Sequence, residues 1–204
     1  MLTFYELAPS PNNLKVHLAL RFKGVPFEAT QVDPADRASV LEVSGQELTP
    51  VIADKGIVLN DSEAILQYLD ANYRDAPRLI PADKDGRKAC EAWQRSFDKR
   101  IVPSWLDVFF FAINVREAMD PASPARFREQ VAWLEEQLGQ SEREWSDAPI
   151  DALRIASWVL YALPGEGLIA RVPLFKKFQQ LFGIEAGAFP RLEELLRPWQ
   201  EHAA

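Results

Sequence analysis

The chain has 204 residues, of which 48% are hydrophobic and 11% aromatic, with a formal net charge of -7. That is enough to bury a core and fits one large domain or two small ones. The acidic balance argues against a nucleic-acid partner, which needs a basic stripe to displace counterions from phosphates. A single cysteine, Cys90, rules out an intrachain disulfide and agrees with a reducing compartment.

The opening residues lack a basic region followed by an apolar run, so no secretion signal is expected. The most apolar stretch, 105–115, is interrupted by Asp107 and Asn114. It falls short of the ~20 residues that span a bilayer. The expectation is a cytoplasmic protein with no membrane partner. His17 and His202, with one cysteine elsewhere, do not make a metal site.

The first part of the chain alternates strand and helix signals. Residues 2–7 read as a strand running into the turn cluster Ala8-Pro9-Ser10-Pro11. Ser10 suits a helix N-cap and Pro11 a first helical position, where a missing N–H costs nothing. That helix is expected to run to Lys23, with Leu14, Leu18 and Phe22 on one face, and to end at Gly24. Residues 25–32 read as a second strand, which Pro26 restricts to an edge. An irregular stretch with at least one helical turn follows over 33–47. Residues 49–53 and 56–59 then read as a hairpin turning at Asp54-Lys55. A helix over 60–73 opens on Asn60 and Glu63, which have capping-box spacing.

Prolines at 77 and 81 place a boundary there. The expected division is a domain over 1–76, a linker over 77–82 and an all-helical domain over 83–204. Within the helical part, one long helix is expected over 83–119, kinked at Pro103. Ser123-Pro124 repeats the cap-then-proline start, and Phe127, Val131, Leu134 and Leu138 follow at helical spacing. Further helices are expected over 149–163, 170–182 and 190–201, the last opened by Pro190. An α/β portion followed by a run of helices is a two-domain pattern.

Three features resemble the cytosolic glutathione transferases. They are Ser10-Pro11-Asn12-Asn13-Leu14-Lys15-Val16-His17-Leu18-Ala19-Leu20, Thr49-Pro50-Val51, and Asn60-Asp61-Ser62-Glu63-Ala64-Ile65. The Phe189-Pro190-Arg191-Leu192 start of the final helix is also similar to that family. The resemblance implies a glutathione transferase fold, with a thioredoxin-like N-terminal domain, an all-α C-terminal domain and a homodimer. It implies that Pro50 is cis and that Val51 offers its backbone N–H and C=O to the tripeptide glutathione as an added strand would. It also implies that Ser62 and the amides at its helix start hold the γ-glutamyl carboxylate, with Asp61 facing the ammonium. Simple helix capping is the alternative role for these residues.

The chemistry would need glutathione as a thiolate, whose reference pKa is ~8.5. Each unit of lowering takes about 1.4 kcal/mol of preferential stabilisation of the anion. In the resembling family, relatives carry cysteine or serine at the position of Ser10, and cysteine or asparagine at that of Asn12. A serine hydroxyl and an asparagine amide both donate hydrogen bonds but neither is a thiol nucleophile, so thiolate stabilisation without a mixed disulfide is expected. Tyr5 is a further candidate, weighed against a place in the core. Trp93, Phe97, Trp105, Phe109, Phe110 and Phe111 make the long helix aromatic. Trp105 and Phe109 are the residues chosen for contact with a hydrophobic electrophile, against the alternative that they fill the helical core.

One departure stands out. Family members often carry a lysine or arginine before the cis-proline, for the glycine carboxylate of glutathione. Here the run is Gln46-Glu47-Leu48-Thr49. Gln46 and Lys15 are possible substitutes, and Glu47 would repel the carboxylate if it pointed inward. The expected activity is conjugation or another transformation of a small hydrophobic electrophile by the glutathione thiolate. The alternative is a non-catalytic binding or regulatory protein on the same scaffold.

Overall fold

The structure, a computed structural model, describes residues 1–140 and 149–203. Residues 141–148 and 204 of the expected helical domain lie outside the described residues. The chain forms two compact units, Met1–Ile80 and Pro81–His202. Among the described residues, no helix is long and apolar enough to cross a membrane.

The first unit contains β1 (Leu2–Glu6), α1 (Pro11–Phe22), β2 (Phe27–Gln31), α2 (Ala38–Ser44), β3 (Val51–Asp54), β4 (Ile57–Leu59) and α3 (Ser62–Asn72). Its four-stranded sheet runs in the order β2-β1-β3-β4. The β1–β2 pair is parallel, joined through α1, while β3 lies antiparallel to both β1 and β4. Leu2 and Phe4 alternate with half-buried Thr3 and Tyr5, the period-two pattern of a strand with one face in the core. Strand β2 starts one residue after Pro26 and sits at the sheet edge, where a proline flank breaks no inner ladder.

The hairpin turns one residue later than expected. Asp54 pairs with Ile57, and Lys55 and Gly56 occupy the corner with φ of 51° and 80°. A two-residue hairpin favours positive φ at both corner positions, which Gly56 adopts without steric cost. Asp54 is thereby the last residue of β3. Its carboxylate accepts from the Tyr68 hydroxyl at 2.9 Å and the Tyr73 hydroxyl at 2.6 Å, fastening the strand end to α3.

Helix α1 is buried over eight consecutive residues, Asn13 to Leu20, not along the single expected stripe. Its polar members have partners: Lys15 Nζ donates to Glu63 Oε1 at 2.7 Å, and His17 Nδ1 lies 3.2 Å from Glu6 Oε2. Just past the helix, buried Lys23 donates to Asp70 Oδ1 and to the Pro77 carbonyl, both at 2.8 Å. Asp70 also accepts from the backbone N–H groups of Leu79 and Ile80. This buried pair pins the strap after α3 to the unit it closes.

The second unit holds α4 (Lys84–Ala112), α5 (Ser123–Gln140), α6 (Pro149–Val159), α7 (Glu166–Arg171), α8 (Leu174–Phe182) and α9 (Pro190–Ala203). Helix α4 continues through Pro103 but stops at Ala112, short of 119. Asn114 adopts a left-handed φ of 61°, and the following N–H groups of Val115 and Arg116 turn back to the Phe110 carbonyl. Asp107 then organises the loop, accepting from Arg116, the Asp120 N–H and the Ser123 hydroxyl. Ser123 is therefore inside α5 as a donor to Asp107, not its N-cap. The single helix expected over 170–182 is two, because Pro173 cannot supply the N–H that a continuous helix requires.

Burial pushes the Tyr68 hydroxyl up to about 12, with the Asp54 carboxylate adding to it, and raises Tyr73 further for the same reasons. Both groups are neutral in folded and unfolded chains below pH ~10, so their contribution is complete there. It is lost as pH rises through the folded values, because only the unfolded chain then ionises easily. Stability should stay level towards pH ~10 and fall as pH climbs towards 12. In Asp54→Asn, tyrosinate absorbance at 295 nm should emerge at lower pH than in the parent protein; coincident titrations would contradict this account.

Candidate functional site

Three segments of the first unit converge: the start of α1, the opening of β3 and the start of α3. Ser10 is the N-cap of α1, with extended backbone, and its Oγ accepts from the Asn13 N–H at 3.4 Å. Pro11 fills the first helical position, and the first turn contains no acidic residue. The amide dipoles at this helix start are thus not offset by a local carboxylate.

The Thr49–Pro50 peptide is cis, and Val51 begins β3 fully buried. Asn13 Nδ2 donates to Thr49 Oγ1 at 2.9 Å, which joins the first turn of α1 to the residue before Pro50. The Lys15–Glu63 pair joins the same helix to the first turn of α3. Ser62 is the first residue of α3 and is buried; Asp61 is its N-cap. The Asp61 carboxylate accepts from the Ala64 N–H at 2.8 Å.

Several residues occupy different places from those expected. Asn60 does not cap α3, because the cap is one residue later at Asp61, whose short carboxylate reaches the third helical N–H. Glu63 turns to Lys15. Asn12 is exposed at the second position of α1, while its neighbour Asn13 is buried and bonded. Tyr5 packs against the cluster Val32, Val40 and Val51, a core role.

Both residues considered as substitutes for a basic side chain before Pro50 have partners within the protein. Gln46 closes on its own loop, donating to Ser44 Oγ and the Leu48 carbonyl and accepting from the Leu48 N–H. Lys15 is engaged by Glu63. Glu47 is exposed, and its carbonyl accepts from Arg37.

Trp105 and Phe109 stack at 4.6 Å inside the helical unit. Trp105 is fully buried, meets Trp158 and Tyr161 edge-on, and gives its indole N–H to the Trp158 carbonyl. Phe109 stacks on Phe178. These two rings are core residues, because four apart on α4 they face the side against which α6 and α8 pack.

A family model for the glutathione S-transferase N-terminal domain matches residues 4–77. Glutathione S-transferase D7 of Anopheles gambiae is 30% identical over 154 residues, covering 71% of this chain and 67% of that protein. The chain belongs to the glutathione S-transferase family. Glutathione S-transferase U7 of Arabidopsis thaliana is 28% identical over 131 residues, 63% of this chain and 56% of the relative. The chain spans about half the length of the plant relatives it matches, between 42% and 56%. The fold is that of the solved glutathione S-transferase CsGST63524 of Ceriporiopsis subvermispora, determined in complex with glutathione. That match has a TM-score of 0.75 and 20% identity, and it covers 100% of this chain and 98% of the other. In this setting the two-part architecture, a thioredoxin-like sheet-and-helix unit followed by a helical one, is the glutathione transferase fold.

Asn13 was not among the residues singled out from sequence. Its signal in the sequence is weak: an amide three positions after a cap reads as a side chain facing solvent. The partner that gives it meaning lies 36 residues away.

Replacing the Asp61 cap with alanine should lower stability by ~1 kcal/mol, the usual worth of such a cap. Asp61→Asn, whose amide oxygen still accepts from Ala64, should recover most of the loss in a urea denaturation series. Equal losses in both variants would show that capping is not what Asp61 contributes.

Proposed function

We propose that the protein binds glutathione at the convergence of α1, β3 and α3 and uses it as a thiolate against a small hydrophobic electrophile. The observation that carries this reading is the side-chain linkage of the three segments through Asn13–Thr49 and Lys15–Glu63. It brings two helix starts, each with first-turn backbone amides at its N-terminal end, to one strand opening. The glutathione complex named for the fungal neighbour supports the choice of ligand.

In this reading Val51 offers its backbone polar groups to the peptide of glutathione, beside Pro50. Ser62 and the first amides of α3 take the γ-glutamyl carboxylate, and Asp61 faces the ammonium. The Ser10 hydroxyl or the Asn12 amide donates to the sulfur. The thiol proton leaves to solvent, and the sulfur electron pair forms the bond to the electrophilic carbon. A leaving anion then departs with its pair, or the adjacent carbon takes up a proton. The proposed form in solution is a homodimer, and the proposed location is the cytoplasm.

A second reading has its own support. The 46–48 run supplies no lysine or arginine, and Lys15 is engaged by Glu63. A glycine carboxylate would therefore find no lysine or arginine within the run just before Pro50; the guanidinium bonded to that run, Arg37, comes from the start of α2 and is held by the Pro34 and Glu47 carbonyls. This favours a binding or regulatory protein that keeps the scaffold with a weakened peptide site. Firm retention on immobilised glutathione would count against it.

Ser62→Ala should weaken glutathione binding by roughly ten- to a hundredfold, the loss of ~1.5–3 kcal/mol from a hydrogen bond to a charged group. Ser10→Ala should leave binding largely intact and raise the apparent pKa of the bound thiol by about one unit, read by ultraviolet titration of the thiolate. An unchanged pKa moves the donor role to Asn12. Absence of both calorimetric binding and conjugation across an electrophile panel would overturn the reading.

A further inference from the structure

Asn13 is 2% exposed in the first turn of a packed helix, with Leu14, Val16, Leu18, Ala19 and Leu20 buried after it. Its Nδ2 donates to Thr49 Oγ1 at 2.9 Å. Its Oδ1 is buried and has no hydrogen-bond partner among the described residues. A buried acceptor left unmade costs ~1–3 kcal/mol, whereas the net worth of the one bond made is ~0.5–1.5 kcal/mol. For stability alone, an apolar side chain of the same shape would serve at least as well. The amide therefore has its use in direction, which apolar packing does not supply.

What it directs is specific. Thr49 is the residue immediately before the cis peptide to Pro50, and Pro50 has no N–H with which to anchor itself. The preceding loop is tied mainly to itself: Gln46 bonds to Ser44 and Leu48. The Asn13–Thr49 bond leaves this loop and reaches α1. At the same time the backbone N–H of Asn13 points to Ser10 Oγ at 3.4 Å. That contact engages a lone pair of the hydroxyl and leaves its proton to be donated elsewhere.

We infer that Asn13 is a positioning residue of the glutathione site, setting the Pro50–Val51 opening at a fixed place relative to the Ser10 hydroxyl. The inference rests on the proposed reading of that site as a glutathione site. Asn13 itself does not touch the ligand, since its free oxygen is enclosed; it acts through Thr49.

The test is a double-mutant cycle on glutathione affinity, measured by calorimetry for the parent protein, Asn13→Ala, Thr49→Val and the double variant, with melting temperatures taken on the same samples. Thr49→Val keeps the side-chain shape and removes only the hydroxyl, so it protects the test if Asn13→Ala folds poorly. Each single variant should bind glutathione roughly five- to tenfold more weakly, as expected for one lost hydrogen bond. The double variant should be no weaker than the singles, because all three lack the same link. Lower melting temperatures with unchanged affinity would overturn the inference, leaving Asn13 a structural residue only. Losses that add in the double variant would also overturn it, since the two residues would then act separately. If the parent protein itself fails to bind glutathione, the proposed function falls first and this inference with it; parent binding with unaffected variants sinks the inference alone.

Discussion

Helix α1 presents polar side chains on a surface that is otherwise packed, and each meets a partner from a different segment. Asn13 reaches the loop before β3, Lys15 reaches α3 and His17 lies against Glu6 on β1. Lys23, just beyond the helix, holds Asp70 and through it the strap that closes the unit. Hydrophobic burial is non-directional and would tolerate small slides of α1 over the sheet. Hydrogen bonds between buried groups tolerate little, because a slide leaves charged or polar atoms unpaired in low dielectric. The arrangement of the site depends on that difference.

The same contacts shape its electrostatics. The start of α1 carries no acidic side chain, so its exposed N–H groups keep their attraction for an anion. At the start of α3 there are two carboxylates, but Asp61 is turned onto its own helix and Glu63 is paired with Lys15. The Asp61 cap therefore offsets part of the α3 dipole and occupies the Ala64 N–H, whereas the start of α1 has no such carboxylate. The balance has a cost elsewhere: the lysine nearest the site is committed to Glu63, and the loop before Pro50 brings none.

Sequence periodicity located most elements because strand and helix leave different marks on hydrophobic spacing. It failed where a boundary is decided by one residue's backbone freedom or by a distant acceptor. Gly56 took the hairpin corner from Asp54 because the corner needs positive φ twice, and this released Asp54 to bind two tyrosines. Ser123 reads as a cap by its neighbours, yet Asp107, sixteen positions earlier, draws its hydroxyl away. Trp105 and Phe109 carry the same aromatic chemistry whether they line a cleft or fill a core. Only the packing of Trp158, Tyr161 and Phe178 around them assigns them to the core.

By itself the sequence determined the family-like order of elements, the cap at Ser10, the proline before Val51 and a helix start within residues 60–63, since each depends on local backbone chemistry within a few residues; that Asp61 and not Asn60 caps that helix is seen only in the structure. Only the tertiary structure decided that Asn13 and not Asn12 faces inward, that Lys15 is spoken for by Glu63, and that Gln46 closes on its own loop. Those outcomes are set by partners 36 and 48 residues away in two cases and by a choice among competing local bonds in the third. A polar residue's type shows that it can form a hydrogen bond; where the partner stands is a property of the fold.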